Sequence, residues 1–560
     1  MSRSERLVFA ALFAAMAVLR IVLVFRYQID SDEPQHLHVV WGWTQGLAQY
    51  RDIFDNHAPL FHMLNAPILA ALGERSDIII LMRFAMLPLF IVMLWAAYDI
   101  IRELAGRRFG LWTAVMLGFF PYFLATVEFR TDDLWGAFWM IALAALVGGH
   151  IGAGAFFAAG FFLGAAFTVS LKTIIMALSL ATAFLVLCAC SRDFRKTALR
   201  WNTALSRLCA MLLGFCILPL LISWMIVKLD VWDSFVYCVA KHNIVPGRSW
   251  RLHFCANHVV LALFLLLIGL GVRRLAANFA GHSRCMRIAF LLLVTGFYYT
   301  ATRTLWPVRE IQTMIPYYPM FVMSMALLPL ALCQPCPQTA PRTGAPNSRA
   351  LMIIPLLIVA AETAWLVTYS RIWRDGTYHS TKFLAAALKL TCKGDYLLDP
   401  KGETIFRPRP IYHVFETFTI DRFARDLINN HVAEHCIATR TYVVANRFER
   451  FPPATRNFIK NTYISVGRFS VAGCILQPPK PELAGKPIRF DIVIPGQYEI
   501  ACEDGPVSGT LDGKACHGAL FLRGGQHEFL PADSADTRTM AVVWAPALKR
   551  GFSPFDNAKH

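Results

Sequence analysis

The residues best able to do chemistry in this chain stand close together near its start, in the stretch "DSDEPQHLH" at positions 30–38. Three carboxylates, Asp30, Asp32 and Glu33, fall within four residues, and His36 follows them. Carboxylates gathered in this way can take up a proton during a reaction or hold a divalent cation. The alternative is an ordinary solvated loop, and the stretch alone does not separate the two interpretations.

A second acidic cluster lies in "EFRTDDLW" at positions 128–135, where Glu128, Asp132 and Asp133 flank Arg130. Asp132 is a candidate catalytic carboxylate, and Asp133 is a candidate for its support. The same letters also fit a helix start, because "TDD" before an apolar run is a common capping pattern. Taken alone, this cluster indicates either a site or the first turn of a helix.

Cations stand at the ends of later apolar runs, Lys172 in "SLKT" and Arg303 and Arg309 in "TRTLWPVRE". Ionisable groups at the end of a membrane span are costly unless they are paired or face a wet cavity, so they are functional candidates. Lys172 alone also fits an anchor whose amine reaches the membrane surface. Together, the two acidic clusters and these cations describe a site that can take a proton or hold a cation, and can also bind a phosphate group.

The elements that must position these residues are membrane spans. Hydrophobic residues make up 56% of the 560 residues and charged residues 16%, and the mean hydropathy is +0.46. This composition excludes an ordinary water-soluble fold and predicts a polytopic, all-α membrane domain. A span needs roughly 17 to 25 apolar residues. About eleven runs qualify: 7–25, 79–101, 110–127, 134–149, 152–170, 174–190, 204–228, 256–272, 286–301, 312–332 and 350–369.

The expected orientation follows from basic residues in short loops. The basic segments 102–110, 191–200 and 273–287 fall on the same side as the N-terminus, which we place in the cytoplasm. The opposite side then holds the loops 26–78, 128–133, 229–255 and 302–311, and the chain from about 371 onward. We expect a bacterial inner-membrane protein with a periplasmic C-terminal part. The net charge of +17 fits attraction to anionic lipids, and no signature of nucleic-acid binding is present.

Three domains are predicted. Residues 1–370 form the transmembrane domain, whose first exterior loop, 26–78, carries two apolar helices too short to span and expected to lie in the membrane interface. Residues 371–483 mix amphipathic helix patterns with short strands and predict an exterior α/β domain. Residues 484–560 alternate apolar and polar positions between frequent turns, which is typical of a small β-sandwich.

The motifs resemble those of the membrane glycosyltransferases of the C-type fold, in the branch of protein O-mannosyltransferases and lipid A aminoarabinose transferases. That family has an Asp-Glu pair after its first span, matched here by Asp32-Glu33, a "His/Lys-Pro-Pro-Leu" element, matched by "DNHAPLF" (55–61), and an "Arg-Pro-Asp" turn, matched by Arg130-Thr131-Asp132. The resemblance covers about the first 330 residues. Two departures are His57-Ala58 in place of a Pro pair and Asn56 where several relatives have an acidic residue.

The resemblance implies an enzyme that moves a sugar from a polyprenyl-phosphate donor to a hydroxyl acceptor at the outer face of the membrane. It implies catalytic roles for Asp32, Glu33 and Asp132. The donor phosphate would be held by Arg130, Lys172, Arg303 and Arg309, with support from Asp30, Asp55, His36, His57 and Asp133. Asp32 fits the general base, with its pKa raised by the like charges of Asp30 and Glu33.

A divalent cation, Mg²⁺, Mn²⁺ or Zn²⁺, is a further expectation, held by Glu33 together with Asp30 or Asp55. Two other functions remain open at this point. A transporter or flippase of lipid-linked substrates would also carry charges in its spans, and a polysaccharide ligase or polymerase would share the lipid-linked donor. Against the transporter, the carboxylates cluster at one membrane face and no inverted repeat is visible.

Overall fold

The computed structural model describes residues 1–148, 152–246, 256–276, 283–305, 311–333, 350–476, 486–533 and 538–555. Its first part is helical. The helices are α1 (Arg3–Arg26), α2 (Asp32–Thr44), α3 (Leu60–Leu72), α4 (Ile78–Arg83), α5 (Leu87–Ala105), α6 (Arg107–Phe119), α7 (Thr131–Val147), α8 (Ala153–Phe167), α9 (Thr173–Cys190), α10 (Arg192–Ala198), α11 (Trp201–Lys228), α12 (Trp232–Phe235), α13 (Ala256–Ala276), α14 (Ser283–Leu305), α15 (Tyr317–Cys333) and α16 (Ala350–Ser370).

Each of the eleven predicted spans coincides with a helix or a helix pair. Within the described residues, seven helices are long and apolar enough to cross a membrane: α1, α4 with α5, α9, α11, α13, α14 and α16. The predicted span 110–127 is α6 followed by a 3₁₀ helix, Pro121–Val127, bent by 72°. The remaining three are the shorter helices α7, α8 and α15, of 17, 15 and 17 residues. The chain is an integral membrane protein.

The two short helices of the first exterior loop do form, as α2 and α3. The expectation that α2 lies in the membrane interface is wrong, because residues 33–42 are buried on all sides of the helix. Trp41, on this helix, is buried and stacks on His38 at 5.3 Å between ring centroids. The His38 ring nitrogen Nδ1 lies 2.8 Å from the carbonyl oxygen of Ile405, so α2 is packed beneath the C-terminal part of the chain.

The C-terminal part contains helices and two sheets. Its helices are α17 (Tyr378–Leu390), α18 (Thr417–Phe423), α19 (Val432–Ala438), α20 (Pro453–Thr462) and α21 (Ala545–Lys549). Its strands are β1 (Leu397–Leu398), β2 (Val443–Ala445), β3 (Tyr463–Val466), β4 (Phe469–Leu476), β5 (Ile488–Ile492), β6 (Gly496–Cys502), β7 (Gly505–Pro506), β8 (Gly509–Leu511), β9 (Lys514–Cys516), β10 (Leu520–Leu522), β11 (Gly525–Pro531) and β12 (Met540–Trp544).

The larger sheet crosses the predicted domain boundary at 483/484. Its strands run in the order β1-β2-β4-β12-β6-β10, so the late strand β12 lies between β4 and β6 and pairs with both in antiparallel register. The smaller sheet, β5-β11-β8-β9, packs on the same core. Residues 371–483 and 484–560 therefore share one sheet and one hydrophobic core, and the division into two domains is corrected to a single unit. We name it the exterior unit after the side of the membrane expected for it.

This exterior unit is fixed to the helical part by polar contacts. Arg407 donates to the Glu74 carboxylate at 3.0 Å. Arg422 donates to the backbone carbonyl oxygens of Lys241 at 2.6 Å, His242 at 3.0 Å and Ile244 at 2.9 Å. Buried arginines that satisfy several backbone acceptors hold two segments in one geometry. The exterior unit is thereby held over the first exterior loop, where it closes a cleft.

Candidate functional site

The cleft lies between the first exterior loop, the turn before α7 and the exterior unit, and has a volume of about 640 Å³. Its charged walls are built by residues from four separate parts of the chain: Asp30, Asp32, Arg130, Asp132, Lys172, Lys401, Glu416 and Arg450. Of the predicted site residues, the cleft brings together Asp30, Asp32, His57, Arg130, Asp132 and Lys172.

Arg130 is the centre of the charged wall. Its guanidinium lies 2.8 Å from a carboxylate oxygen of Asp30 and 2.8 Å from one of Asp32. Asp132 lies 3.6 Å and Glu128 3.8 Å from the same guanidinium. The planar guanidinium suits several carboxylates at once because its donors point in fixed directions. Arg130 thus joins the acidic stretch after α1 to the acidic turn before α7, which are about a hundred positions apart in the sequence.

Lys172 immediately precedes α9 and faces the same cleft. Its amine donates to Asp132 at 2.9 Å and lies 5.3 Å from the centre of the Trp135 ring. Asp132 belongs to the first turn of α7, but no side chain caps this helix, so the carboxylate serves the ion pairs rather than a cap. The ion pair replaces the simple membrane anchor that Lys172 alone suggested.

Asp32 is held by cations on two sides. Arg130 contacts one carboxylate oxygen, and Lys401 of the exterior unit contacts the other. These two cations outweigh the desolvation by burial and hold the pKa of Asp32 well below its usual range. The expected rise in pKa from the like charges of Asp30 and Glu33 is therefore wrong, because the opposite charges of Arg130 and Lys401 together lower the pKa of Asp32. The motifs did not reveal Lys401.

Glu33 is separated from this network. Its carboxylate accepts from Arg83 at 2.5 and 2.7 Å, from the Phe129 amide at 2.9 Å and from the Asp30 amide at 2.9 Å. Both side chains of the Glu33–Arg83 pair are fully buried, and neither lines the cleft. With all of its acceptor positions used inside the protein, Glu33 has no position left for a metal ion or a substrate, and the catalytic and metal roles expected for it are withdrawn.

Side chains that can bind a metal ion are instead clustered around Asp55. Among the described residues, the group of at least three possible ligands is His36, Asp55 and His62, whose ligand atoms lie within 4.8 Å of one another. Asp55 also accepts from His57 at 2.9 Å and from Gln49 at 2.7 Å. Neither the motifs nor their spacing singled out His62; its only signal was its position on the second short helix of the loop.

The donor set suits a zinc-like ion. Burial lowers the pKa of His62 to about 4 and that of His36 well below its usual value, so both rings are neutral and able to bind a metal. The Nε2 atom of His36 is buried and has no hydrogen-bond partner among the described residues. Two neutral imidazoles and a carboxylate are a three-ligand set of the kind that holds zinc with one position open, so the three residues fit the expected cation.

Of the other predicted residues, Asp133 and Arg303 also lie outside the cleft. Asp133 is fully buried, and neither of its carboxylate oxygens has a hydrogen-bond partner within the described ranges. Arg303 lines a second cavity of about 370 Å³, together with Phe120, Tyr122, Phe264, Tyr299, Tyr317, Tyr318 and Phe321. Arg309 lies outside the described residues. The second cavity is aromatic where the cleft is charged, and Ile311 lines both.

Sequence reasoning missed the two cations of the exterior unit, Lys401 and Arg450. Each follows a strand of the larger sheet, in segments that gave no chemical signal: the turn "DPKGE" and the short helix Phe448–Arg450. They reach the cleft only because the exterior unit folds back over the first loop. Gly402 allows this approach, since it has a φ of +89° and an added Cβ would lie 2.9 Å from His38.

Known proteins are similar to this chain in their fold. No protein-family model matches the sequence, and no curated protein matches it. Two crystal structures of ArnT from Cupriavidus metallidurans are similar, one bound to undecaprenyl phosphate and one in the apo state, with TM-scores of 0.55 and 0.53. Both are 14% identical to this chain, and each match covers 84% of this chain and 98% of ArnT.

The oligosaccharyltransferase AglB from Archaeoglobus fulgidus, in complex with an inhibitory peptide and a dolichol-phosphate, is more distant, with a TM-score of 0.45, 12% identity and coverage of 79% of this chain and 70% of AglB. The chain therefore has the fold of the C-type membrane glycosyltransferases, as the motifs in its first 330 residues led us to expect.

Proposed function

We propose that this protein is a glycosyltransferase that moves a sugar from a polyprenyl-phosphate donor to a hydroxyl acceptor. The observation that carries the proposal is the pairing of Asp32 and Asp132 with Arg130 and Lys172 in one cleft that adjoins an aromatic cavity containing Arg303. A lipid phosphate needs cations for its head and an apolar surface for its chain, and the two cavities offer these side by side. The fold shared with ArnT, which has been crystallised with undecaprenyl phosphate, supports the same donor class.

In the proposed reaction, an acceptor hydroxyl attacks the anomeric carbon of the donor sugar while Asp32 accepts its proton. The bond between the anomeric carbon and the phosphate oxygen breaks, and the polyprenyl phosphate leaves with the electron pair. Arg130, Lys172 and Arg303 stabilise the negative charge on the departing phosphate. Asp132 holds Lys172 and lies close to Arg130, which keeps both cations aimed into the cleft.

The low pKa of Asp32 makes it ionised and ready to accept a hydrogen bond, but a poor proton acceptor while it is tied to two cations. A donor phosphate entering the cleft competes for Arg130 and so weakens one of these ties. The carboxylate of Asp32 then becomes more basic at the moment the donor is in place. Asp32 would therefore accept a proton from the acceptor hydroxyl once the donor is bound, rather than from water in the empty cleft.

A metal ion, where bound, would be held by His36, Asp55 and His62. It would supply positive charge beside the cleft and fix the geometry of the first exterior loop. The protein's own residues carry the remaining tasks: His57 lies on the cleft wall and contacts Asp55 at 2.9 Å, so it links this group to the cleft. Zn²⁺ suits the nitrogen-rich set better than Mg²⁺, which prefers oxygen ligands.

The reaction is proposed to take place at the outer face of a bacterial inner membrane. The basic segments at 102–110, 191–200 and 273–287 favour a cytoplasmic position for that side of the helical part. The cleft is built from segments that are expected on the opposite side: 26–78, 128–133 and the C-terminal exterior unit. Donor and acceptor would then meet in the periplasm, directly above the lipid phase.

The proposal is tested by incubating the purified protein with a panel of polyprenyl-phosphate monosaccharides and following loss of the sugar. Asp32→Asn is expected to lower turnover by about two orders of magnitude or more, the usual scale for loss of a general base. Donor affinity should change by less than about threefold, because other cations hold the phosphate. Lys172→Gln should instead weaken donor binding by about tenfold, or about 1.4 kcal/mol.

Asp77→Asn is the matched control, since Asp77 is an exposed carboxylate of the same loop that, within the described part of the chain, forms an ion pair with Arg75 alone. It should leave turnover and donor affinity unchanged. Turnover of Asp32→Asn within about threefold of the unmodified protein would exclude Asp32 as the base. If no polyprenyl-phosphate sugar in the panel is consumed, while the lipid phosphate still binds, a transporter of lipid-linked substrates becomes the better description.

A further inference from the structure

Lys401 and Arg450 reach the cleft from one edge of the exterior sheet. Lys401 follows β1 and Arg450 follows β2, and these two strands pair in parallel. The segments that follow parallel neighbours leave the sheet at the same edge, which places both cations on one side of the cleft. The turn that carries Lys401 is rigid, because the Asp399 carboxylate accepts from the amides of Gly402 at 2.6 Å and Thr404 at 2.9 Å.

The two cations converge on a single hydroxyl. The Lys401 amine lies 3.2 Å and the Arg450 guanidinium 3.4 Å from Oγ of Ser31. Ser31 immediately precedes α2, so these contacts are made at the start of the helix that carries Asp32. Two positive groups within hydrogen-bond reach of one neutral hydroxyl repel each other unless a negative charge lies between them.

The carboxylates near Ser31 do not neutralise the charges of both Lys401 and Arg450. Lys401 is paired with Asp32, just as Lys172 is paired with Asp132. Arg450 has no carboxylate within ion-pair distance among the residues that the structure describes, and its one side-chain hydrogen bond is the contact to Ser31. A partly exposed guanidinium that faces a cleft and lacks a carboxylate is suited to binding an anionic ligand in a bidentate manner.

We propose that Lys401, Arg450 and the Ser31 hydroxyl form a second anion subsite in the cleft, which takes a phosphate-ester group of a substrate. The choice of substrate rests on the proposed function; the subsite itself rests only on these contacts. A tetrahedral phosphate can accept from the guanidinium, the amine and the hydroxyl together, whereas a neutral sugar would leave the charge of Arg450 uncompensated. The phosphate belongs either to the lipid donor or to the acceptor.

Filling this subsite has a consequence for the chemistry. Lys401 is shared between the subsite and Asp32. An anion bound to Lys401 and Arg450 competes with Asp32 for the lysine amine and so loosens the contact that ties down the proposed base. The exterior unit would thereby link the presence of a phosphorylated substrate in the cleft to the readiness of Asp32, which gives this unit a part in the reaction.

The test measures binding of inorganic phosphate to the full-length protein in detergent by titration calorimetry, with and without saturating polyprenyl phosphate. Arg450→Gln should raise the dissociation constant for inorganic phosphate by at least about fivefold, roughly 1 kcal/mol, and Arg450→Lys should restore part of the loss. Arg456→Gln is the control, because Arg456 is an exposed arginine on the nearby helix α20 and does not line the cleft. Melting temperatures of the variants check that folding is unchanged.

The two arms identify the source of the phosphate. If Arg450→Gln also weakens binding of the polyprenyl phosphate, the subsite takes the donor phosphate. If it weakens only inorganic phosphate, including when polyprenyl phosphate is saturating, the subsite takes a phosphate of the acceptor. Unchanged affinity for inorganic phosphate in both Arg450→Gln and Lys401→Gln overturns the subsite. That result would leave the proposed function standing, because sugar transfer by the unmodified protein is measured separately.

Discussion

The buried pair of Glu33 and Arg83 gives a direct test of whether Glu33 supports the fold or the chemistry. Arg83 uses its whole guanidinium: it donates to Glu33 at 2.5 and 2.7 Å and to the carbonyl oxygens of Tyr27 at 2.8 Å, Gln28 at 3.0 Å and Val24 at 3.3 Å. These contacts tie α4 to the end of α1 and the start of α2. Removing the arginine leaves the Glu33 carboxylate buried without its counter-ion.

The expected loss of stability follows from the burial of this ion pair. Breaking one partner of a fully buried, hydrogen-bonded ion pair costs about 3 to 5 kcal/mol, because the remaining charge stays desolvated. Arg83→Met should therefore lower the melting temperature in detergent by several degrees. The double variant Glu33→Gln/Arg83→Met should recover most of the loss, since no buried charge remains. Arg75→Met, which breaks an exposed pair with Asp77, should leave the melting temperature close to that of the unmodified protein.

The assay combines thermal unfolding of the purified variants with sugar-transfer activity. A structural role predicts that the loss of activity in Glu33→Gln follows the loss of folded protein. The reasoning fails if Glu33→Gln melts like the unmodified protein but loses about a hundredfold or more in turnover. In that case Glu33 would act on the substrate, and the saturation of its carboxylate by Arg83 and Phe129 would not describe the working enzyme.

Three further outcomes are expected. A cysteine placed within 376–380 should react with an impermeant thiol reagent in intact cells, and one within 104–108 only after lysis; the reverse pattern would overturn the orientation. Burial raises the pKa of Glu128 from 4.5 to about 8, so the folded state keeps a proton that the unfolded state loses, and stability should fall as the pH rises between these values. Glu128→Gln should flatten this pH dependence of the melting temperature, and an unchanged slope would contradict the assignment. His62→Ala should lower the bound zinc measured by elemental analysis, with His379→Ala as the exposed control; equal zinc in both variants would exclude the site.

The sequence by itself determined where the helices of the membrane part lie. All eleven apolar runs became helices or a bent helix pair, because a backbone that crosses hydrocarbon must satisfy its own hydrogen bonds and only local helical structure does so. The sequence also indicated that Asp30, Asp32 and Asp132 would meet Arg130, since all four stand at span ends on the same expected side. That inference needed no knowledge of how the spans pack.

The fold decided in which direction each of two neighbouring side chains points. Asp32 and Glu33 are adjacent in the sequence, but successive residues of a helix point about 100° apart. Asp32 therefore faces the cleft, whereas Glu33 points into the core and meets Arg83. The motif places both carboxylates at the right position in the chain but does not state which face of α2 each occupies, and so it overestimated the role of Glu33.

Contacts between residues far apart in the chain could not be predicted from local sequence patterns. The late strand β12 inserts between β4 and β6 and so merges two regions that composition had separated. Lys401 and Arg450 enter the cleft from this unit, at a distance of 370 and 419 positions from Ser31. The sequence around a charged side chain in a turn does not identify its distant partner, because electrostatic attraction depends on the distance in space. That distance is set only when the exterior unit packs over the first loop.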